Sequence, residues 1–329
     1  MRKLKIGFFI LINLVAIYLL GPHPEKPYFD DVLPVISAQI ALDEYVSKNE
    51  SVYKTKPNNE ARIVWADSTH QTTDYAIVYL HGFSASQMEG DPVHVNIAKQ
   101  FHCNLYLSRL AEHGLRGSDA LQNLTAENLW ESAKDAYAIG KKLGKKVILM
   151  STSTGGTLAL QLAASFPEIA GLILYSPNIE IYNPSAPMLN DPWGLQIARL
   201  VQGGKYNNIK YQHKDYPKYW NTHYRLEATV ALENLIEATM TEKLFKKINQ
   251  PCLTLYYYKD EAHQDKVVKV TATQKMFAQI STPEHLKVIK AMPNTGNHVI
   301  ASPLVSKDVE VAQRETAKFI AEKIIKLQP

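Results

Sequence analysis

A serine flanked by small residues stands where a strand gives way to a helix in the sequence KKVILMSTSTGGTLALQLA, residues 145–163. The β-rich stretch ends at Met150 and helical spacing begins at Gly155, so Ser153 lies on the tight turn between them. A nucleophile elbow of the pattern G-x-S-x-G needs this arrangement, because the strained turn presents the serine hydroxyl at the edge of the sheet. Gly155 fits the pattern, whereas Ser151 replaces its first glycine. We therefore predict that Ser153 is a catalytic nucleophile.

A histidine–glycine pair follows a continuously apolar stretch at residues 74–80. His81 and Gly82 allow the backbone to turn at the end of a strand, so that the next amide, that of Phe83, points into a site. We expect the backbone N–H groups of Phe83 and Thr154 to form a two-donor oxyanion hole, a device that stabilises the charge of a tetrahedral intermediate. We interpret His81 itself as structural.

The general base and its acid partner are predicted on two later loops. His298 ends the glycine-containing loop PNTGNH, residues 293–298, beyond a late strand, which suits a base that faces the serine. Asp265 heads the sequence DKVV, and Asp260 lies nearer the end of the preceding strand. We favour Asp265 as the acid and keep Asp260 as the alternative. The spacing of these acids with His263 matches no metal-binding pattern.

Apolar stretches alternate with longer helical patterns along most of the chain, which predicts a mostly parallel sheet with helices on both faces. The predicted strands are residues 61–66, 74–80, 104–107, 146–150, 171–175, 252–258 and 285–289. The predicted helices are residues 34–50, 125–143, 155–165, 270–280 and 309–325. The alternation stops between residues 178 and 247, a segment dense in tyrosine and tryptophan. We interpret 178–247 as a cap inserted into a core made of residues 29–177 and 248–329.

These motifs together resemble the α/β-hydrolase superfamily, and within it the serine esterase and monoacylglycerol-lipase-like group. The order Ser153, acid, His298 is that family's order, and residues 81–83 match its HGF-type oxyanion loop. Ala111-Glu112-His113-Gly114 is similar to the group's GHG segment, and the likeness extends over residues 61–325. The resemblance implies an eight-stranded-type sheet and hydrolysis of carboxylic esters through an acyl-enzyme, without a metal ion or organic cofactor.

The aromatic cap suggests a small-molecule ester with an apolar acyl or aryl group, although no substrate-binding residue can be assigned. The same triad could serve acyl transfer to an alcohol, thioester or carbon–carbon bond cleavage, or peptide hydrolysis. A catalytically degenerate exported binding protein is the alternative from another functional class, and the retained nucleophile, acid, base and oxyanion loop argue against it.

The composition excludes several other classes of protein. The 36 Lys and Arg residues against 32 Asp and Glu give a net charge of +4, too small and dispersed for a nucleic-acid-binding protein. Only Cys103 and Cys252 are present, so no disulfide framework supports the fold.

The N-terminal sequence predicts that the protein is exported. A basic cluster precedes an apolar stretch at residues 6–20, which is typical of a signal peptide or a signal-anchor. We favour a membrane anchor within residues 1–28, with residues 21–28 as a stalk and the enzyme facing outside the cytoplasm, in the periplasm if the source is bacterial. The alternative is a cleaved signal and a secreted protein.

Overall fold

A mostly parallel β-sheet forms the centre of the computed structural model, which describes residues 2–117 and 119–326. In chain order the strands are β1 (Arg62–Val64), β2 (Thr73–Leu80), β3 (Asn104–Leu107), β4 (Gly144–Thr152), β5 (Gly171–Tyr175), β6 (Tyr206–Asn208), β7 (His223–Arg225), β8 (Cys252–Tyr256) and β9 (Lys287–Ala291). Seven of them form the central sheet in the order β1-β3-β2-β4-β5-β8-β9, and β6 pairs with β7 separately. Only β1 runs antiparallel to its neighbour in the central sheet.

The predicted fold class is confirmed, with one difference in the number of strands. The described part of the chain contributes seven strands to the central sheet where an eight-stranded type was expected, because the residues that precede β1 form helices and loops. Ser118 and residues 327–329, which fall in the predicted core, and Met1 of the predicted anchor lie outside the described residues.

The helices of the described chain are α1 (Arg2–Leu19), α2 (Leu42–Ser51), α3 (Val93–Gln100), α4 (Ala126–Leu143), α5 (Thr154–Ser165), α6 (Gly194–Gln202), α7 (Tyr216–Tyr219), α8 (Glu227–Thr239), α9 (Glu242–Phe245), α10 (Val270–Gln279) and α11 (Val309–Phe319). Helices α4 and α5 pack on one face of the central sheet, and α3 and α11 pack on the other. Successive side chains of β2 point to opposite faces. Ala76 and Val78 join the apolar layer beneath α4 and α5, whereas Ile77 and Tyr79 join the layer beneath α3 and α11. This double burial explains the continuously apolar sequence of the strand.

The chain leaves the central sheet after β5 and returns to it with β8. The predicted cap, residues 178–247, lies within this excursion and contains α6, α7, α8, α9 and the β6–β7 pair. Helix α8 buries Ala228, Ala231 and Leu235 in the same apolar layer as α4 and α5. The inserted region is therefore packed on the core beyond the carboxyl end of β5.

Helix α1 is exposed along all of its described side chains. Within residues 2–117 and 119–326, no helix is both long and apolar enough to cross a membrane. The membrane anchor predicted from the sequence is therefore not supported. The exported location stays a prediction.

Residues 21–36, here named the N-terminal strap, lie along the surface of both cap and core. In the cap, Trp193 donates its backbone N–H to the Pro22 carbonyl (2.8 Å), and the Asn234 side chain donates to the carbonyl of Glu25 (2.9 Å). In the core, Lys134 of α4 bonds to the Asp30 carboxylate (2.6 Å). These hydrogen bonds hold the segment against the folded chain, whereas the sequence predicts a stalk at residues 21–28.

Candidate active site

Ser153 occupies the sharp turn between β4 and α5. Its backbone has φ 54° and ψ −118°, a region that non-glycine residues seldom adopt and that stores strain. The turn is fixed on both sides, because Ser153 N–H donates to the Tyr175 carbonyl (3.0 Å) and its own carbonyl accepts from Gly156 (2.8 Å) and Asn178 (2.9 Å). The side chain is 5 % exposed and lines a cavity, as a nucleophile elbow requires.

The small residues around Ser153 are explained by close backbone contacts. A Cβ added at Gly155 would lie 2.0 Å from the carbonyl oxygen of Leu80, and one at Gly156 would lie 2.7 Å from Cβ of Pro177. Ser151, which replaces the first glycine of the pattern, is accommodated because its hydroxyl donates to the Ile173 carbonyl of β5 (3.3 Å). The departure from the pattern therefore leaves the turn intact.

His298 and Asp265 are joined by a short hydrogen bond. His298 Nδ1–H donates to Asp265 Oδ2 over 2.6 Å, and Asp265 Oδ1 accepts from the backbone N–H groups of Val267 (2.8 Å) and Val268 (3.1 Å). The Asp265 carboxylate is buried, with 1 % of its residue surface exposed. These contacts fix the orientation of the carboxylate, and His298 lines the cavity. Nε2 of His298 has no hydrogen-bond partner among the described residues.

Asp260, the alternative acid, lies apart from His298. It is exposed and accepts hydrogen bonds from the side chain of His263 (2.8 Å) and from the backbone of its own loop. The His263 hydrogen bond lowers the pKa of this carboxyl. The structure therefore brings Asp265, and not Asp260, to the imidazole.

The surroundings of His298 make it a stronger base than an ordinary histidine. Burial disfavours the charged imidazolium, but attraction to the Asp265 carboxylate, the hydrogen bond between them and the nearby Glu89 outweigh this cost and raise the pKa of His298. The Ser153 hydroxyl has no hydrogen-bond partner among residues 2–117 and 119–326. Serine–histidine bonds in resting active sites are often long or poorly aligned and tighten when substrate binds.

The loop after β2 and the first residue of α5 each carry an unbonded backbone N–H close to Ser153. A Cβ at Gly82 would lie 2.9 Å from Cβ of Ser153, so this glycine permits the close approach of the loop. Within the described chain, the backbone N–H groups of Phe83 and Thr154 have no acceptor. Both residues predicted for the oxyanion hole thus offer free donors next to the nucleophile.

His81 stabilises the shape of this loop. Its Nε2 accepts from the backbone N–H of Leu110 (3.1 Å), so the ring proton is on Nδ1 and donates to the Gly82 carbonyl (2.9 Å). Burial and the neighbouring His113 lower the pKa of His81 well below its ordinary value. A neutral imidazole with both nitrogens bonded agrees with the structural role predicted for it.

Ser153, His298 and Phe83 line one cavity of about 910 Å³ between core and cap. Three aromatic rings of the cap form part of its wall, with Tyr211 stacked on Tyr216 (ring centroids 5.9 Å apart) and Tyr216 stacked on Trp220 (4.3 Å). The cavity is large enough for a substrate of drug-like size.

Three residues that hold this site together were not singled out by the sequence, although Trp220 belongs to the aromatic segment from which an apolar pocket was predicted. Glu89, buried in the cavity wall, accepts a hydrogen bond from Gly82 N–H (2.5 Å). Ser176, with φ 42°, donates its hydroxyl to the carbonyl of His298 (2.7 Å). Trp220 contributes an aromatic wall. Glu89 and Trp220 carry no local motif, whereas Ser176 directly follows β5 and could have been suspected from that position.

No set of three or more potential metal ligands converges among residues 2–117 and 119–326. Asp260 and His263, the acid and histidine of the loop considered in the sequence, bond to each other at the surface.

Comparison with known proteins places the chain in a family. The family model for serine aminopeptidase, S33, matches residues 113–293, more than half of the chain. A comparison with curated protein sequences found no match.

Solved structures share the fold at low sequence identity. A structure of the metagenome-derived lipolytic enzymes LipS and LipT is 17% identical, with a TM-score of 0.64 over 82% of this chain and 100% of the other. The monoacylglycerol lipase of Paleococcus ferrophilus is 15% identical (TM-score 0.56, 80% and 99% covered). Est1E of Butyrivibrio proteoclasticus with bound ferulic acid is 16% identical (TM-score 0.53, 81% and 95% covered).

These structural likenesses establish the fold, and the family model establishes membership. The chain belongs to the serine aminopeptidase S33 family of α/β-hydrolases.

Proposed function

We propose that the protein is a serine esterase that hydrolyses carboxylic esters through an acyl-enzyme on Ser153. The observation that carries this proposal is the 2.6 Å bond between His298 and the buried Asp265, on the same cavity as the strained Ser153 turn. A nucleophile, a base and an acid that orients the base are the parts that acyl transfer needs.

In the first half-reaction Ser153 Oγ attacks the ester carbonyl while Nε2 of His298 takes its proton. Asp265 keeps the Nδ1–H tautomer and stabilises the imidazolium. The amides of Phe83 and Thr154 hold the negative oxygen of the tetrahedral intermediate. Collapse of the intermediate breaks the bond to the alcohol, which leaves with the proton from His298.

In the second half-reaction water replaces the alcohol. His298 takes a proton from the water, whose oxygen attacks the acyl carbon. Collapse returns the proton to Ser153 and releases the carboxylic acid. Every proton removed is thus returned, and the steps require no cofactor.

The cavity supports an ester with an apolar acyl or aryl group. Its wall combines the stacked cap aromatics with Phe83 and Leu232. The structural neighbours are described as an esterase, lipolytic enzymes and a monoacylglycerol lipase, which favours esters as substrates. The family description, in contrast, names an aminopeptidase.

The test combines a substrate panel with covalent labelling. p-Nitrophenyl esters with acyl chains of two to sixteen carbons and amino-acid p-nitroanilides are assayed on the wild type, and a fluorophosphonate probe is added to the wild type and two variants. We expect ester turnover, labelling of the wild type and of Ser151→Ala, and no labelling of folded Ser153→Ala. Turnover of anilides alone would replace the esterase by a peptidase, and persistent labelling of Ser153→Ala would overturn the nucleophile.

A further inference from the structure

One buried carboxylate in the cavity has no part in the mechanism above. Glu89 is 3 % exposed and lies seven residues after Gly82, on the turn that leads into α3. It lines the same cavity as Ser153 and His298. Carboxylates are seldom buried unless hydrogen bonds or opposite charges compensate for the lost hydration, so its partners indicate what it does.

The first partner is the oxyanion loop. Gly82 N–H donates to Glu89 Oε2 over 2.5 Å, and a Cβ at Gly82 would lie 2.8 Å from the same oxygen. The His81–Gly82 peptide fixed in this way is joined through the Gly82 Cα to the next peptide, whose N–H is that of Phe83, one of the two free donors. The hydrogen bond to Glu89 therefore restrains the loop one peptide before the Phe83 amide.

The second partner is the cap. Trp220, whose side chain has one donor, the indole N–H, lines the same cavity as Glu89 and lowers the pKa of its carboxyl. Trp220 is buried and stacks on Tyr216, and the next residue, Asn221, donates its backbone N–H to the carbonyl of Ser84 in the oxyanion loop (2.6 Å). Glu89 thus connects the aromatic wall of the cap to the loop that carries the oxyanion donor.

The third neighbour is His298, which lines the same cavity and whose pKa the Glu89 carboxylate raises. The other titratable groups that interact with Glu89 are Tyr79 of β2 and Tyr216 of the cap, both neutral phenols whose pKa values are raised, mainly by burial. His298 is therefore the group facing Glu89 that changes charge during acyl transfer.

We propose that Glu89 is a positioning residue of the active site: its carboxylate aims the Phe83 amide through Gly82, couples it to the cap through Trp220, and stabilises the imidazolium of His298 together with Asp265. This inference rests on the proposed esterase function. Burial raises the pKa of Glu89 itself to about 7, against the opposing effects of the Gly82 N–H, His298 and Trp220. Glu89 and His298 therefore titrate as an interacting pair.

Glu89→Gln tests the charge while keeping an acceptor oxygen for Gly82. Because the carboxylate favours the imidazolium, its removal lowers the pKa of His298, so the base stays neutral and active at lower pH. We expect the acidic limb of kcat/KM to move to lower pH, with the ratio of activity at pH 6 to that at pH 8 rising about threefold or more.

Glu233→Gln is the matched control. Glu233, in α8, is also buried with its pKa raised to about 7, by burial and by neighbouring Glu237 and Glu180, but it does not line the cavity. Its variant should keep the wild-type pH profile. A Glu89→Gln profile that coincides with those of wild type and Glu233→Gln would overturn the electrostatic role.

Glu89→Ala tests the positioning role, because it leaves Gly82 N–H buried without an acceptor. We expect kcat to fall about 100-fold with little change in KM, the effect of losing one oxyanion donor, and Glu89→Gln to restore most of it. A folded Glu89→Ala with kcat within twofold of wild type would refute the positioning role. If this variant does not fold, the kcat values of Glu89→Gln and Trp220→Phe are compared instead.

In that comparison, we expect Trp220→Phe to lower kcat several-fold and Glu89→Gln to retain most of the wild-type kcat. An unchanged kcat in both variants would refute the coupling between Glu89 and the cap. Fluorophosphonate labelling of wild-type Ser153 is measured first. If the wild type is not labelled, the esterase proposal itself is refuted. If it is labelled normally and the Glu89 variants keep the wild-type kcat and pH profile, only the present inference is refuted.

Discussion

Replacing Asp265 by Asn should abolish most of the activity while leaving the fold in place. The amide oxygen can still accept from the backbone N–H groups of Val267 and Val268, as Asp265 Oδ1 does now. The amide NH₂ then faces Nδ1 of His298 at the position of Oδ2. An NH₂ group donates, so Nδ1 must become the acceptor and the ring proton moves to Nε2. In that tautomer the imidazole cannot take the proton of Ser153.

The magnitude follows from losing both the tautomer and the charge. The same substitution in a serine protease triad lowers kcat about 10⁴-fold, equivalent to about 5.4 kcal/mol of activation free energy. Asp265 is buried and bonded on both oxygens, so no water or second acid can replace it, and we expect a loss of similar size here.

Steady-state hydrolysis of a p-nitrophenyl ester by purified variants measures this loss, with circular dichroism to verify folding. Asp260→Asn is the matched control, because Asp260 is exposed and bonds only within its loop and to His263, and it should retain wild-type kcat. The reasoning is refuted if Asp260→Asn loses turnover and Asp265→Asn keeps it.

Three further predictions concern the framework of the site. Gly155→Ala should lower the free energy of unfolding by about 3 kcal/mol or more in urea titrations, because the new Cβ would lie 2.0 Å from a carbonyl oxygen. Gly204→Ala, at a position with open space around it, should change the free energy of unfolding little. Equal losses in the two variants would contradict this prediction. The kcat/KM of the wild type should rise with pH through a midpoint above 6.5, since the raised pKa of His298 keeps the base protonated to higher pH, and a midpoint below 6.5 would be inconsistent with the site. Lys56→Met removes two hydrogen bonds from Nζ to cap carbonyls, one of which is the carbonyl of Trp220 (3.0 Å). The variant should lose about 1–2 kcal/mol of the free energy of unfolding, and an unchanged urea midpoint would contradict this prediction.

The buried strands were predictable because their information is local. The predicted boundaries 104–107 and 171–175 coincide with β3 and β5, since each strand is a short apolar stretch that is buried along its whole length. The helix predicted at 34–50 begins only at Leu42. Its apolar spacing was misleading, because Val35 is exposed and Ile36 packs as part of the strap.

The candidate site likewise contains residues that a local sequence pattern reveals and residues that it does not. Ser153, Asp265 and His298 follow strand ends and carry recognisable neighbours, so the sequence pointed to each of them. Glu89 acquires its partners from the oxyanion loop, the cap and the His298 loop, and Trp220 lies 131 positions further along the chain. Interactions across such separations are set by the tertiary fold, and no local pattern encodes them.

The N-terminal strap limits how the cap can move. Because it is hydrogen-bonded to Trp193 and Asn234 on one side and to Lys134 on the other, swinging the whole cap outward would break bonds at both ends of one short segment. Outward movement of the whole cap therefore requires that the bonds of this segment to the cap or its bond to the core open first. Cutting the chain between residues 26 and 29 would release this restraint.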